Sequence, residues 1–240
     1  MIRLLRAEFI KIKRTKLWQT ILSVPLIAVL FAVISFTTSD QSSWMRLYYQ
    51  LFNMHGMLLL PLMAALTVAY LCRFEHEQDN WKQFLSQPLT RWQVYNCKFL
   101  LSIMAIGTIQ ILMFLSFLLL GIVLGVEGEI PFEILLKGVF GGWVATLPLI
   151  ALQLWVSSAW KSFAGAMTIN VIFTIPAILI AQSGDFGPYY PWAQPFLAMF
   201  PQQDASSMFY VPFITLFAVI GGSFLLFYIA GIVQFNRRAY

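Results

Sequence analysis

The sequence predicts an all-α, polytopic integral membrane protein with six transmembrane helices and both termini in the cytoplasm. Of its 240 residues, 60% are hydrophobic and only 10% are charged, whereas an average soluble domain has about 25% charged residues. The mean hydropathy is +0.77. The apolar residues form six long runs, and basic residues concentrate between alternate runs. This composition excludes a soluble globular domain, a disordered chain and, with two cysteines, a disulfide-rich scaffold.

The six runs have the length of membrane crossings, since about 20 helical residues span a hydrocarbon core about 30 Å thick. They are apolar on all sides, whereas the strands of a membrane β-barrel alternate between apolar and polar residues. The chain is therefore predicted to be a single transmembrane domain, 1–240. Its predicted transmembrane helices are 17–37, 54–72, 99–126, 135–158, 163–181 and 211–233.

The distribution of basic residues predicts the orientation of these helices, because Lys and Arg accumulate in short cytoplasmic segments. With both termini inside, the cytoplasmic segments are 1–16, 73–98, 159–162 and 234–240. They hold 13 of the 15 Lys and Arg residues, and only Arg46 and Lys137 fall outside. The net charge of +5 therefore indicates topology and attraction to anionic membrane lipid, and we expect no nucleic-acid partner.

Residues 1–16 are predicted to form an amphipathic helix at the membrane interface. Ile2, Leu5, Phe9 and Ile12 recur at helical spacing and would share one apolar face. Such a helix lies with its apolar face in the membrane and its basic residues among anionic headgroups. A simple charged anchor for the first span is the alternative. The predicted anchoring residues are Arg3, Arg6, Lys11, Lys13, Arg14 and Lys16.

The predicted cytoplasmic loop 73–98 has the pattern of a short helix. Acidic residues precede an apolar set at helical spacing, and Pro88 should end the helix at or before Gln87. A short amphipathic helix parallel to the membrane is a docking element for a cytoplasmic partner. The alternative is an elbow on the membrane surface, anchored by Trp81 and Trp92.

The predicted outer segments are 127–137 and 182–210. The first could form a short helix before the fourth span, where Gly138, Gly141 and Gly142 would let neighbouring helices approach closely. The second is rich in proline, which excludes one long helix and favours a compact lid or re-entrant turn. Its aromatic residues would be interfacial belt residues or a surface that contacts substrate.

Motifs for catalysis and ion coupling are absent from the sequence. It contains no phosphate-binding loop motif and no metalloprotease or serine-hydrolase motif. His55 and His76 were expected near opposite ends of the second span, too far apart to share a metal, so no metal site is predicted. No acidic residue is predicted inside a span, which disfavours a proton-coupled or ion-coupled pump. A transporter of this kind needs energy from a partner.

These features together resemble the ABC-2 class of ABC-transporter membrane subunits. The resemblance rests on the basic N-terminal helix, the six spans and the stretch from Glu75 to Lys98, E-x-E-x-D-N-W-K-Q-F-L-S-Q-P-L-T-R-W-Q-V-Y-N-x-K. That stretch is similar to the permeases of lantibiotic-immunity and bacitracin-export systems. The importer-type E-A-A…G loop is absent, and so is the large outer domain of the bigger bacitracin-resistance permeases.

The resemblance implies a permease subunit of an ATP-driven exporter in the bacterial plasma membrane. Cytoplasmic ABC ATPase subunits would hydrolyse ATP with Mg²⁺, and this chain would need no cofactor of its own. A second permease, either another copy or a sister subunit, would complete a twelve-span dimer. The cargo would be an antimicrobial peptide or an amphipathic drug. The residues implied to couple to the ATPase are Glu75, Glu77, Asp79, Trp81, Lys82, Phe84, Pro88 and Arg91.

Two other classes of function were weighed. An integral membrane enzyme or cofactor protein would need clustered ionisable residues inside the bundle, and the sequence predicts none there. An assembly or sensory membrane protein could bind a partner through the same loop without moving a substrate. ATPase activity of the assembled complex would distinguish this second alternative from a transporter.

Overall fold

The computed structural model describes residues 2–13, 15–37, 43–76, 90–201 and 209–237. Within these ranges the chain is helical, with no β-strand, and six helical segments are long and apolar enough to cross a membrane. The predicted all-α fold with six spans is therefore confirmed. The spans are Leu17–Ser35, Trp44–Arg73, Arg91–Val123, Phe132–Ala159, Phe163–Ile180 and Phe213–Arg237.

Ten α-helices make up most of the described chain. They are α1 (Ile2–Lys13), α2 (Leu17–Thr37), α3 (Trp44–Met54), α4 (Leu60–His76), α5 (Arg91–Val123), α6 (Phe132–Ala145), α7 (Leu147–Ala159), α8 (Phe163–Ile180), α9 (Gln194–Met199) and α10 (Phe213–Arg237). A π-helix, His55–Leu59, joins α3 to α4, and a 3₁₀ turn covers Gly187–Tyr189.

The second span is longer than its apolar run. It begins at Trp44 rather than near residue 54, because α3 is amphipathic and its polar residues hide it from a search for apolar runs. The third span likewise begins at Arg91, within the predicted loop. The fourth begins at Phe132, so the second half of the outer segment 127–137 belongs to that span and is not a separate helix.

A proline interrupts the helix of the fourth span, and another proline follows the π-helix of the second span. In the fourth span, Pro148 cannot donate to the carbonyl of Val144 and its ring crowds that carbonyl, so α6 and α7 meet at a break around Thr146. The Thr146 hydroxyl donates to the carbonyl of Trp143 at 2.6 Å there. In the second span, the π-helix ends at Leu59, two residues before Pro61, a combination that bends helices.

The core lies around the second span, which is the most buried of the six. Helix α4 packs against α5, α7 and α8, and its small residues Ala64, Ala65 and Val68 are fully buried. Helix α7 packs along α10. The fifth and sixth spans are the least buried, and many of their apolar side chains are exposed.

Glycines allow close packing in the half of the bundle that is predicted to face outward. A methyl group at Gly138 would overlap the Tyr48 hydroxyl and come 2.8 Å from the carbonyl oxygen of Met199. The Tyr48 hydroxyl donates a short hydrogen bond to that carbonyl. At Gly142 a methyl group would overlap the Met199 side chain. The predicted role of these glycines in close approach is confirmed, and the approaching elements are α3 and α9.

The segment after the fifth span is partly buried in the protein. Helix α9 packs against α6 and the π-helix, and Phe196, Leu197 and Met199 are buried. Phe196 and Phe200 pack together with ring centroids 4.4 Å apart. In contrast, Phe186 and Tyr189 are largely exposed. The aromatic residues of this segment therefore divide into a packed group and an exposed group.

Candidate functional site

Five elements meet at one end of the bundle, and contacts between named residues join them. Lys98 of α5 contacts Glu8 of α1 and Glu75 of α4. His76, at the end of α4, contacts the carbonyl of Ser157 in α7 at 2.6 Å. We call this the basic end: α1, the C-terminal end of α4, the N-terminal end of α5, the α7–α8 junction and the C-terminal end of α10.

Helices α8 and α10 join the basic end through arginines. The guanidinium of Arg73 lies 5.8 Å from the centre of the Phe163 ring, at the first residue of α8. The guanidinium of Arg91 donates to the carbonyl of Asn236 at 2.8 Å, near the end of α10. The described segments that were predicted to be cytoplasmic therefore share one end of the molecule. That this end faces the cytoplasm stays a prediction.

A buried ion-pair cluster occupies the centre of the basic end. Lys98 Nζ lies 2.8 Å from a carboxylate oxygen of Glu75 and 3.4 Å from one of Glu8. It also donates to the carbonyl of Leu71 at 2.6 Å. All three charged side chains are at most 4% exposed. Burial of a lone ammonium would cost several kcal/mol, and the two carboxylates offset that cost. We call Glu8, Glu75 and Lys98 the buried triad.

The buried triad holds together α4 and α5, the two helices that flank the predicted loop. Glu75 lies in the last turn of α4, and Lys98 lies in the third turn of α5. Glu8 adds α1, on the face where Leu4 is also buried. The N-terminal helix therefore contacts α5 through Lys98, and the same lysine links it to α4.

Two predicted coupling residues are described, and both have partners inside the chain. Glu75 belongs to the buried triad and is 2% exposed. Arg91 begins α5 after a capping box formed by Thr90 and Gln93, and it contacts the last turn of α10, where cations are favoured by the helix dipole. The other predicted coupling residues lie outside the described residues: Glu77, Asp79, Trp81, Lys82, Phe84 and Pro88.

The predicted membrane anchors are described only in part. The side chains of Arg6 and Lys16 are exposed. Phe9 is about one-third exposed, and its ring contacts Trp18 edge to face at 6.3 Å. This leaves an apolar surface on α1 that an interfacial helix requires. The side chains of Arg3, Lys11, Lys13 and Arg14 lie outside the described residues.

The sequence did not predict the buried triad. The charge distribution places Lys98 in the predicted loop 73–98, although mostly apolar residues surround it in the sequence from Val94 to Leu101. Glu8 is the single acidic residue of 1–16. A lone acid in a basic helix and a lone lysine in an apolar stretch are the signals that could have indicated a buried pair.

A second polar cluster lies inside the bundle. His55 Nε2 and the Gln110 side-chain oxygen are 2.8 Å apart, and the Gln110 amide donates to the carbonyl of Val139 at 3.0 Å. His55 is fully buried in the π-helix, well within the second span and not near its end as expected. These contacts connect the second, third and fourth spans. The two histidines contact different partners, Gln110 and the carbonyl of Ser157.

Comparison with known proteins identifies the family. A family model described as ABC-2 family transporter protein matches residues 4–177. The chain belongs to the ABC-2 transporter family. The match begins in α1 and ends in α8, so it includes all three residues of the buried triad. A search of curated proteins finds no match.

Membership of the ABC-2 family identifies the chain as the multi-pass membrane component of a transporter. Such a component is generally not catalytic itself, and the family implies an ABC ATPase partner. The six apolar helices and the absence of a phosphate-binding loop motif in the sequence agree with a membrane component that works with a separate ATPase. The basic end is therefore the candidate coupling site.

Proposed function

We propose that this ABC-2 permease is one half of an ATP-driven exporter and that its cytoplasmic loop receives the ATPase. The observation that carries the proposal is the buried triad. It fixes the end of α4, the start of α5 and helix α1 to one another through Lys98. A movement of the loop would therefore be transmitted to three elements together.

The anchoring at both ends of the loop supports this role. Glu75 precedes the loop and is tied to Lys98, whereas Arg91 follows it and is tied to the carbonyl of Asn236. A flexible attachment would absorb displacement within the loop. Attachment to buried and helix-end partners would pass displacement to the second, third and sixth spans, which is the requirement for coupling to a separate ATPase.

The cargo and partners of the proposal follow from the resemblance to lantibiotic-immunity and bacitracin-export permeases. The cargo would be an antimicrobial peptide or an amphipathic drug taken from the membrane and expelled outward. ATP and Mg²⁺ would bind in the partner ATPase. A second permease, identical or sister, would contact the bundle within the bacterial plasma membrane. The exposed apolar surface of the fifth and sixth spans leaves room for such a contact.

The proposal is tested by isolating the chain with its partners. The full chain would carry a tag after Tyr240 and would be extracted from its native membrane in mild detergent. We expect an ATPase with a phosphate-binding loop to copurify, and its activity to rise in the reconstituted complex. A chain that purifies without any nucleotide-binding partner would contradict the proposal. A bound partner with no ATPase activity would favour the assembly or sensory alternative.

A variant of the loop makes the test specific. Trp81→Ala is expected to abolish copurification of the ATPase while the chain still inserts in the membrane. Trp92→Ala is the matched control, because Trp92 is exposed on α5 and contacts Tyr228. Equal ATPase recovery by the Trp81 variant and the wild type would count against the loop as the docking element.

A further inference from the structure

A cavity at the basic end lies apart from the buried triad. It has a volume of about 420 Å³ and lies between the end of α4, the α7–α8 junction and the first turn of α8. It is large enough for a small polar headgroup with room beyond it. None of the three residues of the buried triad lines it.

The charged residues that line this cavity are basic. They are Arg73 and Lys161, with His76 beside them, and the described lining includes no acidic residue. The His76 ring contacts the Ser157 carbonyl through Nε2, which therefore carries a hydrogen and donates. Arg73 and Lys161 are exposed. A concave surface with this charge attracts an anionic group.

Apart from Ser157 and Ser162, the rest of the described lining is apolar or aromatic. Trp160 is about half exposed at its rim, and Phe163, Ala69 and Ala166 form part of its wall. Tryptophan favours the level of the headgroups in a membrane. A soluble anion would contact only the basic residues of such a surface, whereas an amphiphile would contact the basic residues and the apolar wall.

An exposed stripe leads from the cavity along the fifth span. Ala164 lines the cavity, and Thr168, Ile172, Ile175 and Leu179 follow it at helical spacing. All of these residues are exposed on α8, so one continuous surface runs from the cavity toward the opposite end of the helix. An acyl chain could follow this surface while its headgroup stays among the basic residues.

We propose that this cavity binds the headgroup of an anionic phospholipid, with Arg73 and Lys161 contacting the phosphate and an acyl chain lying along α8. Basic pockets between transmembrane helices on the cytoplasmic side bind such headgroups. The N-terminus of α8, capped by Ser162, adds a favourable dipole. The proposal does not depend on transport, so it and the proposed function can fail separately.

The proposal is tested by titrating the purified full chain with phosphatidylglycerol or phosphatidylcholine and measuring bound lipid by native mass spectrometry. Each basic residue near an anionic headgroup contributes about fivefold in binding. We expect Arg73→Gln/Lys161→Gln to weaken phosphatidylglycerol binding about 30-fold and phosphatidylcholine binding much less, because the choline cation offsets the phosphate charge. Lys161→Gln alone, in an exposed junction, should weaken it about fivefold.

Three controls make the result decisive. Arg237→Gln removes an exposed basic residue of α10 outside the cavity and should leave binding unchanged. Arg73→Lys/Lys161→Arg keeps both charges and should retain most of the binding. Soluble glycerol phosphate should compete poorly. Wild-type binding by the double Gln variant, an equal loss in Arg237→Gln, or full competition by glycerol phosphate would each overturn the lipid site.

Discussion

Lys98 Nζ and a carboxylate oxygen of Glu75 are 2.8 Å apart, in side chains that are 2% exposed. Glu75 lies in the last turn of α4 and Lys98 lies in the third turn of α5, so the pair joins the two helices that flank the predicted loop. The carboxylate of Glu8, 3.4 Å from the same nitrogen, adds the N-terminal helix. An ABC-2 permease thus holds its candidate coupling elements together with buried charges.

Removal of Lys98 should strongly destabilise the chain. Lys98→Met leaves two carboxylates buried without their cation, and the loss of one partner of a buried pair costs about 3–5 kcal/mol. Lys137→Met is the matched control, since Lys137 pairs with Glu133 at 2.5 Å but both side chains are about 70% exposed. That change should leave the stability almost unchanged, because exposed ion pairs contribute little. The measurement is unfolding of the two variants in detergent.

Removal of all three charges of the buried triad should distinguish an effect on folding from an effect on coupling to the ATPase. Glu8→Leu/Glu75→Leu/Lys98→Met removes the three charges of the buried triad together, and apolar replacement of a buried charged cluster is often neutral for stability. We expect the triple variant to fold but to show reduced stimulation of the partner ATPase. If stimulation stays at the wild-type level in the folded triple variant, the buried triad has only a structural role.

The glycine packing on α6 should be intolerant of a methyl group. Gly138→Ala would clash with the Tyr48 hydroxyl and the Met199 carbonyl, and overpacking typically costs about 1–3 kcal/mol. Gly221→Ala on α10 meets no atom within 4 Å and should be neutral or stabilising by up to about 1 kcal/mol. Thermal unfolding of both variants checks this expectation, and a neutral Gly138→Ala would contradict the packing described.

The contact between His55 and Gln110 should contribute to stability within the bundle. Gln110→Leu removes the partner 2.8 Å from His55 Nε2, and a buried polar group left unsatisfied costs about 1–3 kcal/mol. His55→Leu/Gln110→Leu should cost less than the sum of the single changes, with a coupling energy of about 0.6–2 kcal/mol. A double-mutant cycle on unfolding free energies measures this coupling, and strict additivity would show that the contact is absent.

Cysteine labelling should reveal which side of the membrane the basic end faces. Cys72 and Cys97 are buried and form no disulfide, so both would be replaced by Ala before a single exposed cysteine is introduced. Glu127→Cys, in the predicted outer segment, should react with a membrane-impermeant maleimide in intact cells. Arg237→Cys, at the basic end, should react only after permeabilisation. The reverse pattern would invert the predicted topology.

The sequence predicted the features that depend on local composition. Apolar runs predicted six spans because each crossing helix must present apolar side chains to lipid. The spacing of Gly138, Gly141 and Gly142 predicted close helix approach. Reliance on local composition also explains why the sequence did not predict the amphipathic helix α3, since Arg46 and Gln50 interrupt its apolar residues. Only packing against its neighbours shows that Leu47 and Leu51 are buried.

The tertiary structure alone decided which charged residues are exposed and which are buried. Glu75 and Arg91 looked like equivalent loop charges, but Glu75 is buried against Lys98 and Arg91 contacts the end of the sixth span. Glu8 and Lys98 are 90 residues apart, so no local pattern links them. By itself the sequence determined the class of protein and its spans, because hydrophobicity acts residue by residue. The partners of its charged residues depend on distances that exist only after the helices pack.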